Sequence, residues 1–214
     1  MSFTNRLSLG AAAVALTASS LASGAIVQMT FEGLQDSELV GGFYNGGSGG
    51  FGSTSAQNWG FTFSANSRAL IDADQGGTGN FGNEPSPSTI LYFNGGSSVT
   101  ISRAAGFQGV YGYYASFSRA ASWAVYSGVE GTGTLLASGN LPATGAGNGD
   151  PTGGNYAEWR SFGQFLASGT DGRSLVLTGV ANEIAFDNLT FTVPAPGALG
   201  LLGVAGIAGS RRRR

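Results

Sequence analysis

Glycine occupies 38 of the 214 positions, and no convincing helix of three turns is legible outside the two chain ends. Each glycine inside a helix costs about 1 kcal/mol relative to alanine, so a composition this rich in it favours strands and turns over helices. What lies between the glycines is short, β-branched or aromatic, and bounded by Gly, Asn, Asp and Pro. The runs are IVQMTF from Ile26, WGFTFS from Trp59, TILYF from Thr89, SVTIS from Ser98 and GVYGYYASF from Gly109. They continue with SWAVYS from Ser122, GTLLAS from Gly133, WRSFGQF from Trp159, SLVLTGV from Ser174 and EIAFDNLTFTV from Glu183. Evenly spaced short strands with turn residues between them predict an all-β fold, a single jelly-roll-like β-sandwich over residues 26–192. Alternation places Val27, Met29 and Phe31 on one buried face, and Leu175 and Leu177 on another. The glycine-rich stretches GGFYNGGSGGFGS from Gly41 and GNLPATGAGNGDPTGGN from Gly139 read as loops. Neither has the spacing of a phosphate-binding loop.

The two ends differ from the body. Residues 1–25 place Arg6 before an apolar run from Leu7 to Leu16 and then small residues up to Ala25, the layout of a secretory signal peptide whose apolar part is helical. At the other end, Ala198 to Ala208 form an apolar segment well short of the ~20 residues of a stable span. Arg211, Arg212, Arg213 and Arg214 follow it and would stay on the cytoplasmic side of a membrane. A short helix so placed suits temporary anchoring of an exported body.

A proline motif, a glycine-rich apolar segment and an arginine cluster together resemble the PEP-CTERM sorting signal over about the last 22 residues. Val193, Pro194 and Pro196 match the spacing of that family's motif, while Ala195 stands where its central glutamate usually does. The resemblance implies export, recognition of residues 193–214 by an exosortase-type processing enzyme after signal peptidase has acted, and delivery to the cell surface or extracellular matrix. FEGL near the start of the body, FYNGG after it and FDNLTF in the last strand are similar to secreted sandwich domains of such proteins. More loosely, the body looks like jelly-roll carbohydrate-binding modules, some of which hold a structural calcium between the first and last strands.

Composition removes several chemistries. The chain has no Cys, His or Lys, which excludes Ser-His-Asp and Cys-His nucleophiles, ordinary zinc sites and Schiff-base lysines. With both ends gone, five arginines face all twelve acidic residues, so the body lacks the basic footprint of a nucleic-acid binder. Paired carboxylates alone can hydrolyse glycosides, but no motif here flags a pair. The expectation is therefore a non-enzyme, with a secreted glycoside hydrolase as the third reading.

In EIAFDNLTFTV the apolar residues change phase, Ile184 and Phe186 being even and Leu189, Phe191 and Val193 odd, which predicts a β-bulge at Asp187 and Asn188. If the first and last strands are neighbours, Glu32 approaches Asp187. Two readings follow: a structural calcium ion held by Glu32, Asp187 and Asn188, or capping of backbone amides at the bulge without metal. Asp72 and Asp74, two apart before a glycine-rich turn, lack the later glutamate of an EF-hand and read as a solvated turn. Among the aromatics, adjacent Tyr113 and Tyr114 point to opposite faces of one strand, and Trp159 follows the long glycine loop beside Arg160. These three are the candidate ligand-binding residues for a polysaccharide. The function expected is a structural or polysaccharide-associating surface protein, the alternative a calcium-stabilised carbohydrate-binding module.

Overall fold

A computed structural model describes residues 24–147 and 155–194. Residues 1–23 of the signal-peptide segment and the residues after Pro194, including Pro196 and the four terminal arginines, lie outside the described residues, and so do both expected terminal helices, whereas Ala25 is already the first residue of a strand. Among the described residues no helix is long and apolar enough to cross a membrane.

Among the described residues eleven strands form two antiparallel sheets, joined by loops and one 3-10 turn at Ala73–Gln75. In chain order they are β1 (Ala25–Met29), β2 (Phe61–Phe63), β3 (Ser67–Ile71), β4 (Thr89–Phe93), β5 (Ser98–Phe107) and β6 (Gly109–Ala115). β7 (Ala121–Tyr126), β8 (Leu135–Leu141), β9 (Arg160–Phe165), β10 (Gly172–Thr178) and β11 (Ala185–Val193) complete them. The first sheet runs β3-β4-β11-β6-β9, with β1 also paired to β11; the second runs β2-β5-β10-β7-β8. Only β3–β4 and β7–β8 are consecutive strands of one sheet, so each of the other eight connections passes from one sheet to the other, as in Greek-key and jelly-roll architectures.

Ten of the expected strands are present with end shifts of a few residues. The exception in the other direction is β3, whose sequence SRALI has one β-branched residue and was not expected as a strand. Its place at the sheet edge comes from pairing with β4 along its whole length and from burying Ala69 in the core.

The core lies between the sheets. Val27, Met29, Phe31, Leu175 and Leu177 are all in it, as alternation predicts. Phe191 of β11 meets Phe61 of β2 at 4.6 Å and Phe107 of β5 at 5.0 Å, so aromatic contacts tie one sheet to the other. A smaller apolar cluster of Phe81, Ile90, Ala115 and Ala185 sits on the outer face of the first sheet. Val193, first residue of the expected sorting signal, is the last residue of β11, buried in the main core and paired with Ala25.

Candidate functional site

β11 is the hinge of the site. Its register with β6 shifts between Asp187 and Thr190, and Asn188 has φ +49°, so the bulge expected from the phase change is present. Phe186 and Leu189 consequently both face the core, while Asp187 turns to the outer face. Along the other edge, β4 meets β11 at Phe186 and β1 pairs with it from Leu189 to Val193.

Asp187 is 0 % exposed because the 84–89 loop folds over it. Its oxygens accept from Ser86 N at 2.7 Å, from Ser86 Oγ at 2.8 Å and from Asn188 N at 2.6 Å. Glu32 grips the same loop through Thr89 N at 2.9 Å, Thr89 Oγ1 at 3.2 Å and Ser88 Oγ at 3.2 Å. The two acids thus fasten the first and last strands to one loop, as near neighbours. Burial pushes the Asp187 carboxyl up to about 7 against the pull of its Ser86 and Asn188 bonds, and the Glu32 charge adds to the rise. Burial also raises Glu32, against its Thr89 and Ser88 bonds, with Glu84 contributing repulsion.

The donors already on these carboxylates serve the amide-capping reading of the sequence. The Asn188 Oδ1, buried with no hydrogen-bond partner, is a free oxygen beside them of the kind calcium takes. Three oxygen-bearing side chains are fewer than calcium's six to eight ligands, so backbone carbonyls and water would have to supply the rest. Among the described residues no group of three or more acidic side chains is arranged to hold a metal ion.

Asp72 and Asp74 do not share a strand face. Asp72 is 3 % exposed at the start of the 3-10 turn, whereas Asp74 is in the open. Burial, with Asp74 and Glu84 adding to it, pushes Asp72 up to about 7. The expected solvated turn is therefore solvated on one side only.

The aromatic candidates separate. Odd residues of β6 face outward and even ones inward, which puts Tyr113 at 41 % exposure and Tyr114 at 3 %. Tyr114 fills the core and donates its hydroxyl to Pro142 O at 3.1 Å, so it offers no ring to a ligand. Trp159 is half-buried against the outer apolar cluster and donates Nε1 to Gly82 O at 3.0 Å, a structural use of both ring and N–H. Tyr111 joins Tyr113 on the outer face, and Phe165 of β9, 64 % exposed, meets Tyr111 edge-on at 5.2 Å. Alternation already implied the Tyr111–Tyr113 pairing. Phe165 could come only from the β6–β9 register, which sets Gly109 opposite Phe165 and Tyr111 opposite Gly163. The result is a strip of three exposed rings flanked by Gln28, Thr190 and Thr192.

No protein-family model and no curated protein matches the chain. Among solved structures, it is similar to a cleaved adhesin domain of Lys-gingipain, at 15 % identity and TM-score 0.47, covering 79 % of this chain and 100 % of that one. It is also similar to a family 29 carbohydrate-binding module from Piromyces equi, at 6 % identity and TM-score 0.39, covering 81 % and 94 %. A family 6 carbohydrate-binding module matches at 14 % identity and TM-score 0.37, covering 62 % and 86 %.

Proposed function

We propose that this is an exported, non-catalytic β-sandwich of the cell surface or extracellular matrix that associates with polysaccharide through the outer face of its first sheet. The observation that carries the reading is the ring strip Tyr113–Tyr111–Phe165 on the outer face of the first sheet, bordered by hydroxyl and amide side chains. Flat exposed rings stack on sugar faces while neighbouring polar groups bond the sugar hydroxyls. Export and sorting rest on the sequence: the signal peptide of residues 1–25, and Val193, Pro194, Pro196 and the terminal arginines as the tag for an exosortase-type enzyme after transient membrane insertion. A binder is preferred to a hydrolase because the two carboxyls with the most raised affinity for protons, Asp72 and Asp187, are buried, Asp187 being taken up by Ser86 and Asn188, instead of lining an open cleft.

The test is affinity electrophoresis of the full chain through gels containing a panel of soluble polysaccharides. Retardation by at least one polysaccharide, reduced in Tyr113→Ala and further in the Tyr111→Ala, Tyr113→Ala double variant, is expected. Migration of the double variant identical to that of the parent would refute the tyrosine face.

A second reading, a calcium ion stabilising the body at Glu32, Asp187 and Asn188, is favoured by the unpartnered Asn188 Oδ1. Removing calcium with a chelator is then expected to lower the melting temperature, and an unchanged melt discards the ion.

A further inference from the structure

The second sheet has its own concave feature. A cleft of about 430 Å³ opens between the loop ending at Gly60, the outer face of β2 and β5, and the turn between β7 and β8. It runs into a neighbouring hollow of about 270 Å³ across Thr62, Ser102 and Glu130, which line both. Thr62, Thr100 and Ser102 alternate with core residues Phe61, Phe63, Val99 and Ile101, so the floor lies on the side of the sandwich away from the tyrosine face.

The walls are built and held. Tyr44 stacks on the Trp59 indole at 5.5 Å and 6° between planes, and Trp59, partly buried against the core, lines the cleft. Arg103 donates Nε to Trp59 O at 2.9 Å and Nη1 to Gly106 O, with its guanidinium 5.6 Å from the Phe61 ring centre. The opposite wall is the β7–β8 turn, tied down by Glu130 N to Ser102 Oγ at 2.9 Å and Gly131 N to Ser174 Oγ at 3.0 Å. Trp59, Arg103 and Glu130 all line the cleft. A ring fixed in the wall, a guanidinium and a carboxylate in the lining, and a hydroxyl-lined floor match the faces and hydroxyls of a sugar unit. One arginine balanced by one glutamate gives no excess of positive charge for a phosphate or a uronate.

We propose that the Trp59–Arg103–Glu130 cleft binds a neutral sugar unit, and that one molecule therefore holds two polysaccharide chains, one on each sheet. This rests on the tyrosine-face reading for the second chain, although the cleft itself does not. A protein with two such faces cross-links a matrix instead of merely coating it.

The experiment titrates the full chain with cellotetraose and with soluble neutral β-glucan, xylan and galactan, plus alginate as the anionic control. Tryptophan fluorescence reports the cleft, and light scattering with the long polymers reports bridging. The cleft is altered by Trp59→Ala and, to spare the Tyr44 stack, by Thr62→Ile with Glu130→Ala at two exposed positions. The expected result is binding of at least one neutral probe, weakened about tenfold, the equivalent of one well-placed contact, by the cleft changes. Scattering should vanish both in the cleft variants and in Tyr111→Ala, Tyr113→Ala, while each retains gel retardation through its intact face. Parent-like fluorescence and scattering in the Thr62→Ile, Glu130→Ala variant would overturn the cleft, as would preference for alginate. Unchanged scattering in the tyrosine variant would instead refute the tyrosine face and the bridging, leaving cleft binding standing. Failure of every neutral probe to bind would overturn both sites.

Discussion

Glu38 has no exposed surface, yet it stays ionised because four donors converge on it: Gln35 N at 2.7 Å, Phe51 N at 2.8 Å, Ser53 N at 3.1 Å and Ser53 Oγ at 2.6 Å. Burial pushes its carboxyl up, but these bonds outweigh it and hold it below the ordinary value. Glu38→Ala leaves three backbone amides without acceptors and is expected to cost about 3 kcal/mol or more in urea unfolding. Asp187 and Asp72 behave oppositely. Both keep a proton in the folded chain up to about pH 7, whereas an unfolded aspartate ionises near 4, so folding takes up protons in that interval. Stability contributed by these groups is full below about pH 4 and is lost as the pH rises through about 7. In chelator, therefore, the melting temperature should be higher at pH 5 than at pH 8, and Asp187→Asn should flatten that slope by about one proton. A cation bound at Asp187 would favour its ionised form and diminish or reverse its share of the slope, so the same melts with added calcium also bear on the metal. At this scale the sequence revealed the bulge pair Asp187–Asn188 and that Tyr113 and Tyr114 point to opposite faces. It was silent on the burial of Trp159 and Tyr114, since which side of a strand is inside depends on what the rest of the chain packs there.

The elements that carry function are defined by close backbone approach as much as by side chains. Gly163 in β9 has φ +121°, and a Cβ there would collide with Val110 O and lie 2.6 Å from the Tyr111 Cα. Only glycine fits that conformation without strain. Gly163→Ala is expected to destabilise by more than about 2 kcal/mol and to weaken polysaccharide retardation, because it pushes β9 away from the strand that presents Tyr111. Loss of stability by thermal melt without loss of retardation would mean the ring strip tolerates that displacement. Strand positions were largely legible from alternation and glycine punctuation. β3 was not, because SRALI owes its extended form to the β4 ladder and not to its own residues.

Across the described residues, the first strand closes on the last: Ala25 to Met29 pair with Val193 to Leu189, and the 84–89 loop is fastened by Glu32, just after the first strand, and by Asp187 of the last. β11 sits inside its sheet between β6 on one side and β4 and β1 on the other, so the sandwich cannot close without it. A chain ending at Ile184 is expected to remain unfolded and rapidly degraded by added protease, whereas one ending at Pro194 folds; equal protection of the two would contradict this closure. The sequence by itself determined the all-β class, most strand positions, the phase change in β11 and the absence of His, Cys and Lys chemistry, because these follow from local propensity, period and composition. Only the tertiary structure decided that Phe165 stands beside Tyr111, that Trp59 and Glu130 face one another across a cleft, and that Asp187 is sealed under a loop about a hundred residues earlier. Those are consequences of strand register and of sheets packing on one another, which couple residues far apart in the chain and leave no trace in any short stretch of it.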